Sequence, residues 1–261
     1  MPTDVWGSFA IPAEQRMKWQ IGPLDLWAQG LPLEWRLVHA EADDRLRDLA
    51  TVEGPSHDLS PPEGSTEQRY ASDADESSLE LHPLVADRPV VVRPKPGLVL
   101  VSGATVAFFV STPAWVGVRA GRGRELCELP CTRPSDTWFG ANTREGELCY
   151  AGRTHARLSL DEVPRRPGRV LTEVRFHNQG VDPLTIDRVQ IPLPHLTLYR
   201  DASGTLWTNT VTVTRSADRP EADVQVAAAP PLATDDPVQV APPRAGGTPS
   251  LVVRALGALL A

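Results

Sequence analysis

The sequence predicts an all-β protein: an antiparallel β-sandwich, jelly-roll or immunoglobulin-like, with a short C-terminal helix and two long polar loops. Three observations predict it. Apolar and polar residues alternate at period two in short runs, as side chains do on the two faces of a half-buried strand. Turn signals recur between these runs at a spacing of about 8–12 residues. Proline is abundant, with 26 in 261 residues beside 19 glycines, and it blocks helix interiors and central strands.

In chain order, Gly22-Pro23 and Gly30-Leu31-Pro32 cut residues 1–40 into strands at 17–21, 24–28 and 33–40, expected to join the sandwich. In the last of these, Leu33, Trp35 and Leu37 face one way and Glu34 and Arg36 the other. Residues 41–88 break the pattern. They hold thirteen acids and four bases, a net of −9 in a chain of −7, which leaves +2 elsewhere. From Gly54 to Ser78 the segment is polar and rich in Pro and Ser. It offers too little apolar surface to offset its ordering entropy and reads as an acidic, flexible insert.

Residues 89–215 read as the main sandwich, with strands near 90–93, 98–101, 104–110, 114–119 and 147–151. Thr154, Ala156, Leu158 and Leu160 alternate with Arg153, His155, Arg157 and Ser159, which predicts another strand. A turn at His177-Asn-Gln-Gly180 with Asp182-Pro183 separates the runs 171–176 and 184–191. Asp201-Ala-Ser-Gly204 predicts a hairpin between 196–199 and 205–214. There Thr208, Thr210, Thr212 and Thr214 read as an exposed face. Residues 216–250, with seven prolines, read as a linker. Residues 251–261 read as an apolar helix opened by Pro249-Ser250, with Val252, Leu256, Leu259 and Leu260 on one stripe and Arg254 off it. If 1–40 pair into the main sheet, the chain is one domain.

Charge and composition narrow the function. A net charge of −7 and a pI of about 5.4 argue against nucleic acid as a partner. No run approaches the ~20 apolar residues of a membrane helix, so no transmembrane segment is expected. No basic cap precedes an apolar stretch near Met1, so a cytoplasmic location is expected. Cys127, Cys131 and Cys149 are then expected to be reduced, mostly buried and metal-free. No cofactor is expected: Gly121-Arg-Gly-Arg124 lacks the Lys and Ser/Thr of a phosphate loop.

The densest polar stretch is 133–150, continuing to Arg153. The candidate functional cluster is Arg133, Asp136, Trp138, Asn142, Arg144, Glu145, Glu147, Tyr150 and Arg153. Loops on a rigid sandwich commonly carry function. A plainer reading competes: Asp136 and Asn142 satisfy turn backbone, Trp138 and Phe139 plug one end of the sandwich, and Gly140 supplies a positive φ. Three chemical readings arise from the residue types. Glu145 and Glu147, two apart, would share a strand face as a glycosidase pair does, with Trp138 stacking on a sugar. Cys149, His155 and Asp136 contain the groups of a thiol nucleophile system, although six residues of strand separate Cys149 from His155. Cys127, Cys131, Cys149 and His155 could ligate a metal, but a CxxxC with a lone Cys and a lone His lacks two compact ligand pairs. Arg119, Arg122 and Arg124, and Arg165, Arg166 and Arg169, are two basic groups that read as solvated turns. Asp136 is expected to bond backbone N–H groups or one of Arg133, Arg144 and Arg153.

The strings Asp136-Thr-Trp-Phe-Gly140, Asn142-Thr-Arg-Glu-Gly-Glu-Leu-Cys-Tyr-Ala151, Leu198-Tyr-Arg-Asp201 and Leu206-Trp207 resemble a prokaryotic family known as domain of unknown function 432. Trp6-Gly7, Trp19, Ile21-Gly-Pro-Leu24, Glu34-Trp35-Arg36 and the terminal 253–260 are similar too. The resemblance covers most of the chain outside the two polar segments. It brings no activity, cofactor or catalytic residue. The partner it implies is a membrane-channel protein. The functional expectation is a non-enzymatic protein-interaction module that meets a protein partner or another copy of itself. The alternative is a carbohydrate-directed or hydrolytic enzyme using Glu145, Glu147 and Asp136. Convergence of those three carboxylates in an open cleft would favour the enzyme.

Overall fold

The computed structural model describes residues 4–72, 77–95, 97–121, 123–140, 142–216 and 222–246, with the backbone alone at 153 and 154. In chain order the strands are β1 (Gly7–Ala10), β2 (Arg16–Ile21), β3 (Leu24–Leu31), β4 (Glu34–Glu41), β5 (Ala50–Ser56), β6 (Thr66–Ala71) and β7 (Ser78–Leu84). They continue as β8 (Val90–Pro94), β9 (Leu98–Leu100), β10 (Thr105–Pro113), β11 (Trp115–Ala120), β12 (Arg124–Pro130), β13 (Ser135–Gly140) and β14 (Gly146–Thr154). The last are β15 (Arg169–Asn178), β16 (Leu184–Ile186), β17 (Val189–Ile191), β18 (Leu198–Arg200), β19 (Leu206–Thr208), β20 (Val211–Arg215), β21 (Ala222–Val226) and β22 (Val238–Ala241). Among the described residues the helical elements are short 3-10 turns at Leu160–Glu162 and Leu193–His195. No helix among them is long and apolar enough to cross a membrane. The fold is all-β, as the alternation predicts.

The chain forms two compact units. The first comprises Met1–Leu84, Pro113–Arg133 and Arg166–Arg169. It holds the sheets β1-β7-β11-β12 and β5-β2-β3-β4-β6. Strand β2 shows why these residues make a strand: Met17, Trp19 and Ile21 are buried while Arg16, Lys18 and Gln20 are not. The sheets meet where Phe9 of β1 packs edge-on against Trp19 of β2, ring centroids 5.2 Å apart. Tyr70 of β6 faces Cys127 of β12, and burial with that thiol raises the Tyr70 pKa to about 12. The fully buried Trp19, Trp35, Leu26 and Leu37 fill the centre.

The second unit comprises Val85–Thr112, Pro134–Arg165 and Val170–Ala261. Its largest sheet runs β21-β20-β15-β19-β18-β22, with β10 also on β15. Strand β15 is buried at seven of its ten positions, so both its faces are covered. A cluster of Val163, Leu171, Tyr199 and Trp207 packs with Phe109 and Leu160. The second sheet is β13-β14-β8-β17, and β9 pairs with β16 as a ribbon. At the turn after β18, the Asp201 carboxylate accepts the N–H groups of Ser203 and Thr205, the Ser203 hydroxyl and the Trp207 indole N–H, at 2.6–3.0 Å.

Several expectations are corrected. The segment 41–88, expected as a loop, carries β5, β6 and β7. Its acids find bases on neighbouring strands: Glu53 with Lys18 at 3.5 Å, Glu67 with Arg36 at 3.4 Å, and Arg69 in turn with Glu34. The segment 216–250, expected as a linker, carries β21 and β22. The run 153–160 stops being a strand at Thr154, and Ala156 takes a φ of 44°. The sheets are mixed, with parallel pairs β14–β8, β15–β19 and β15–β20 among antiparallel ones. Thr208 and Thr210 are buried, not exposed. The Thr208 hydroxyl lies 2.8 Å from that of Thr172, and the Thr210 hydroxyl donates to Glu173 at 2.9 Å. Instead of joining the main sheet, the strands of 1–40 build sheets of the first unit. The predicted helix at 251–261 lies outside the described residues.

Buried polar groups yield two stability predictions. Removing the Asp201 carboxylate by Asp201→Ala strips the buried Trp207 indole N–H and the turn amides of their acceptor. The expected cost is about 2–3 kcal/mol, read from chemical denaturation. His82 concerns pH. Its ring lies against Gly117, where a Cβ would fall 2.3 Å from it. Glu125 comes within 3.4 Å of Nε2, but among the described residues neither ring nitrogen makes a hydrogen bond. Burial, with Arg119, lowers its pKa below 6.5, and Glu125, Glu80 and Glu128 oppose that. The unfolded chain therefore takes up a proton at His82 before the folded protein does. Stability is present above the unfolded pKa and is lost as pH falls from there through the folded pKa. Melting temperatures from about pH 8 to pH 5 should fall, and His82→Gln should flatten the slope. An unchanged slope would remove His82 from the account.

Candidate functional site

The hairpin β13–β14 carries most of the predicted cluster. Its register pairs Asp136 with Tyr150, Trp138 with Leu148 and Gly140 with Gly146, so these share one face. Thr137 with Cys149 and Phe139 with Glu147 share the other. On that second face Phe139, Cys149 and Val91 form a buried apolar cluster. The first face is open: Trp138 is 44% exposed and Leu148 46%.

The turn is built by Asn142. Its side-chain oxygen accepts the N–H groups of Arg144 and Glu145 at 2.8 and 2.9 Å, and its amide donates to Glu145 at 3.3 Å. The Trp138 indole N–H donates to the Asn142 carbonyl at 2.8 Å. That bond lays the ring back over Gly146, where a Cβ would come within 2.8 Å of the indole nitrogen. Gly140 is needed for close approach and not for a positive φ. A Cβ there would fall 2.0 Å from the Glu145 carbonyl oxygen.

Beside the apolar pair sits a polar group that the sequence did not assemble. Arg88 donates to Asp136 at 3.3 Å, and its guanidinium lies over the Tyr150 ring at 5.2 Å. The Tyr150 hydroxyl donates to Asp87 at 2.9 Å. Burial and the Asp87 carboxylate raise the Tyr150 pKa, against the pull of Arg88. Among the described side chains the arginine partner of Asp136 is thus Arg88, not Arg133 or Arg144; the side chain of Arg153 lies outside the described residues, and Asp136 is exposed. Asp87 and Arg88 close the segment that composition marks as an insert, so only their place just ahead of β8 could have flagged them.

The remaining candidates scatter. Arg133 is exposed and belongs to the first unit, Arg144 is exposed in the turn, and Arg153 lies on β14 in register with Arg93. Glu145 belongs to the turn and not to the strand, so Glu145 and Glu147 do not form a pair along β14. Glu147 accepts a hydrogen bond from Gln190 of β17. Asp136 and Glu147 stand on opposite faces, so the three carboxylates do not converge. Gln190 also donates to the Cys149 thiol at 3.6 Å. Burial, with Glu147, pushes that thiol up to about 11. His155 is exposed beyond the end of β14. The three cysteines are free. Cys127 and Cys131 lie in the first unit and Cys149 in the second. Among the described residues no three His, Cys, Asp or Glu side chains gather as a metal-binding group. Of the basic groups, Arg119 is paired with Glu125 and Arg122 lies outside the described residues. Burial, with Arg166 nearby, lowers Arg169 to about 10.

A family model described as a protein of unknown function, DUF432, matches residues 5–259, and the chain belongs to that family. No curated protein and no solved structure matches it.

The thiols give a direct check. Burial raises Cys131 to about 12, as it raises Cys149 to about 11, so neither carries appreciable thiolate near neutral pH. Iodoacetamide at about pH 8 should leave both unmodified in the native protein and label both after denaturation, read by peptide mass spectrometry. Rapid native labelling of Cys149 would reopen the nucleophile reading.

Proposed function

On the premise of that membership, we propose that this chain is a non-enzymatic protein-interaction module working in the cytoplasm, with the open face of the β13–β14 hairpin as its contact surface. One observation carries the reading: the exposed cross-strand pair of Trp138 and Leu148 on the sheet's edge hairpin. An indole held in a fixed pose by its bond to Asn142 loses little freedom on binding, and Trp is the residue most typical of an interface anchor. Arg88, Asp136 and Tyr150 supply the polar rim that such a patch needs. Free thiols are in keeping with a reducing compartment. The partner is a protein, and a membrane-channel protein is the one that the family resemblance implies. The hydrolytic alternative lacks support, since Asp136 pairs with Arg88, Glu147 with Gln190, and the two lie on opposite faces.

Affinity capture with mass spectrometry tests this. The double variant Trp138→Ala/Leu148→Ala should keep its melting temperature, because both side chains are half-exposed. It should lose its principal partner, at a cost of about 2 kcal/mol or more in binding. An unchanged set of captured proteins would sink the assignment of this face.

A further inference from the structure

We infer that the chain forms a two-fold dimer in which β13 of one copy pairs, antiparallel, with β13 of a second. The inference goes beyond the contact face, because it uses the strand's backbone edge and not its side chains. β13 stands at one end of its sheet and β17 at the other. The two ends differ. All three residues of β17 are buried, whereas Ser135, Asp136, Trp138 and Gly140 of β13 are exposed.

The ladder decides which groups that edge offers. The Tyr150 N–H donates to the Pro89 carbonyl at 2.9 Å, so Tyr150 turns its backbone toward β8. Backbone groups alternate sides along a strand, so Cys149 and Ala151 turn theirs toward β13, to Thr137 and Ser135 opposite. Asp136, Trp138 and Gly140 therefore point their N–H and C=O groups away from the sheet. Among the described residues no strand pairs along that side. The indole leaves it clear, since its bond to the Asn142 carbonyl draws it back over Gly146 of β14. Other sheet ends carry blunting devices: Glu67 and Arg69 on β6, and Glu53 and Pro55 on β5.

A second copy of the same strand fits this edge. The outward residues are symmetric about Trp138, with Asp136 two positions before it and Gly140 two after. Pro134, which has no N–H, stops the ladder on one side, and the turn held by Asn142 stops it on the other. An antiparallel pairing centred on Trp138 sets Trp138 against Trp138 of the second copy and Asp136 against its Gly140, for about six backbone bonds. Charge favours this arrangement. Asp136 is the sole charge on β13, and an in-register parallel pairing would set two carboxylates side by side. The antiparallel one holds them four positions apart, roughly 14 Å, each opposite a residue with no side chain. That exceeds the screening length of about 8 Å at physiological salt. The assembly also closes. Both β13 edges are used, and the joined sheet ends on a buried β17 at each side, so pairing stops at two.

Sedimentation equilibrium of the full-length chain tests this between about 1 and about 100 µM. The expected result is a reversible dimer, of twice the 28.4 kDa of one chain. Asp136→Pro deletes an outward N–H and none of the hairpin's own bonds, and should weaken dimerisation at least about tenfold. Asp136→Asn keeps that N–H and should stay dimeric. A second readout does not depend on the folding of the proline variant. Opposed residues of such a pair lie about 5.5 Å apart at Cα, within disulfide reach, whereas Leu148 and its counterpart lie three strand spacings apart, roughly 14 Å. Trp138→Cys should therefore give a disulfide-linked dimer on mild oxidation, and Leu148→Cys should not. A chain monomeric throughout the range overturns the inference. So does a dimer that tolerates Asp136→Pro, or one that crosslinks through position 148 as readily as through 138. The contact-face reading fails separately. If Trp138→Ala/Leu148→Ala dimerises yet captures the same proteins as the unaltered chain, the dimer stands and the face assignment falls.

Discussion

The hairpin of β13 and β14 depends on an anchor of three side chains, Phe139, Cys149 and Val91. Phe139 and Cys149 come from the two arms of the hairpin, and Val91 comes from β8, which pairs with β14 in parallel. Because side chains alternate at period two, fixing these residues inward fixes Asp136, Trp138, Leu148 and Tyr150 outward. A one-residue slip would bury Trp138 and expose Phe139. The anchor thus sets both the register and the identity of the exposed face. It also accounts for the raised thiol pKa: Cys149 packs against Phe139 and Val91, and that burial holds its proton on.

Much of the framework was legible at short range. The strands read at 17–21, 24–28 and 33–40 appear as β2, β3 and β4, and the Asp201 turn links β18 to β19 as its residues imply. The strands held by distant partners were illegible. Thr66-Glu-Gln-Arg-Tyr-Ala71 has no apolar alternation because it is an edge strand with little buried surface. Its backbone pairs with β4, and its Arg69 and Glu67 meet Glu34 and Arg36, some thirty residues away. The local net charge of 41–88 looks uncompensated only while those partners are left out. The buried threonines fail in the same way. An alternating Thr pattern reads as a solvent face unless Glu173 and Thr172, more than thirty residues earlier, are known to lie opposite.

The candidate site shows the same division. The turn made by Asn142 and the cross-strand pairing of Trp138 are local, and the residue types announced them. The partner of Asp136 is 48 residues away, and the partner of Glu147 is 43 away. Proximity in sequence suggested that Asp136, Glu145 and Glu147 act together. Strand geometry separates them, since one is on each face of the hairpin and the third is in its turn.

An edge strand is a liability as well as an opportunity. β13 ends its sheet, so one side of its backbone has no strand beside it in that sheet. Natural edges are usually blunted by charge, proline or a cover. This one has Pro134 just before it and Asp136 near its start, yet Trp138 stands at its centre. A large apolar side chain at such a place invites indiscriminate association, which a folded chain must suppress. Here the indole is tied to the Asn142 carbonyl and lies back over the turn, so one edge of the ring is satisfied and oriented. That arrangement narrows what can dock by fixing the ring's direction. On the proposed reading of this face as a contact surface, specificity would rest on the Asn142 turn and the Arg88–Asp136 pair as much as on the apolar residues.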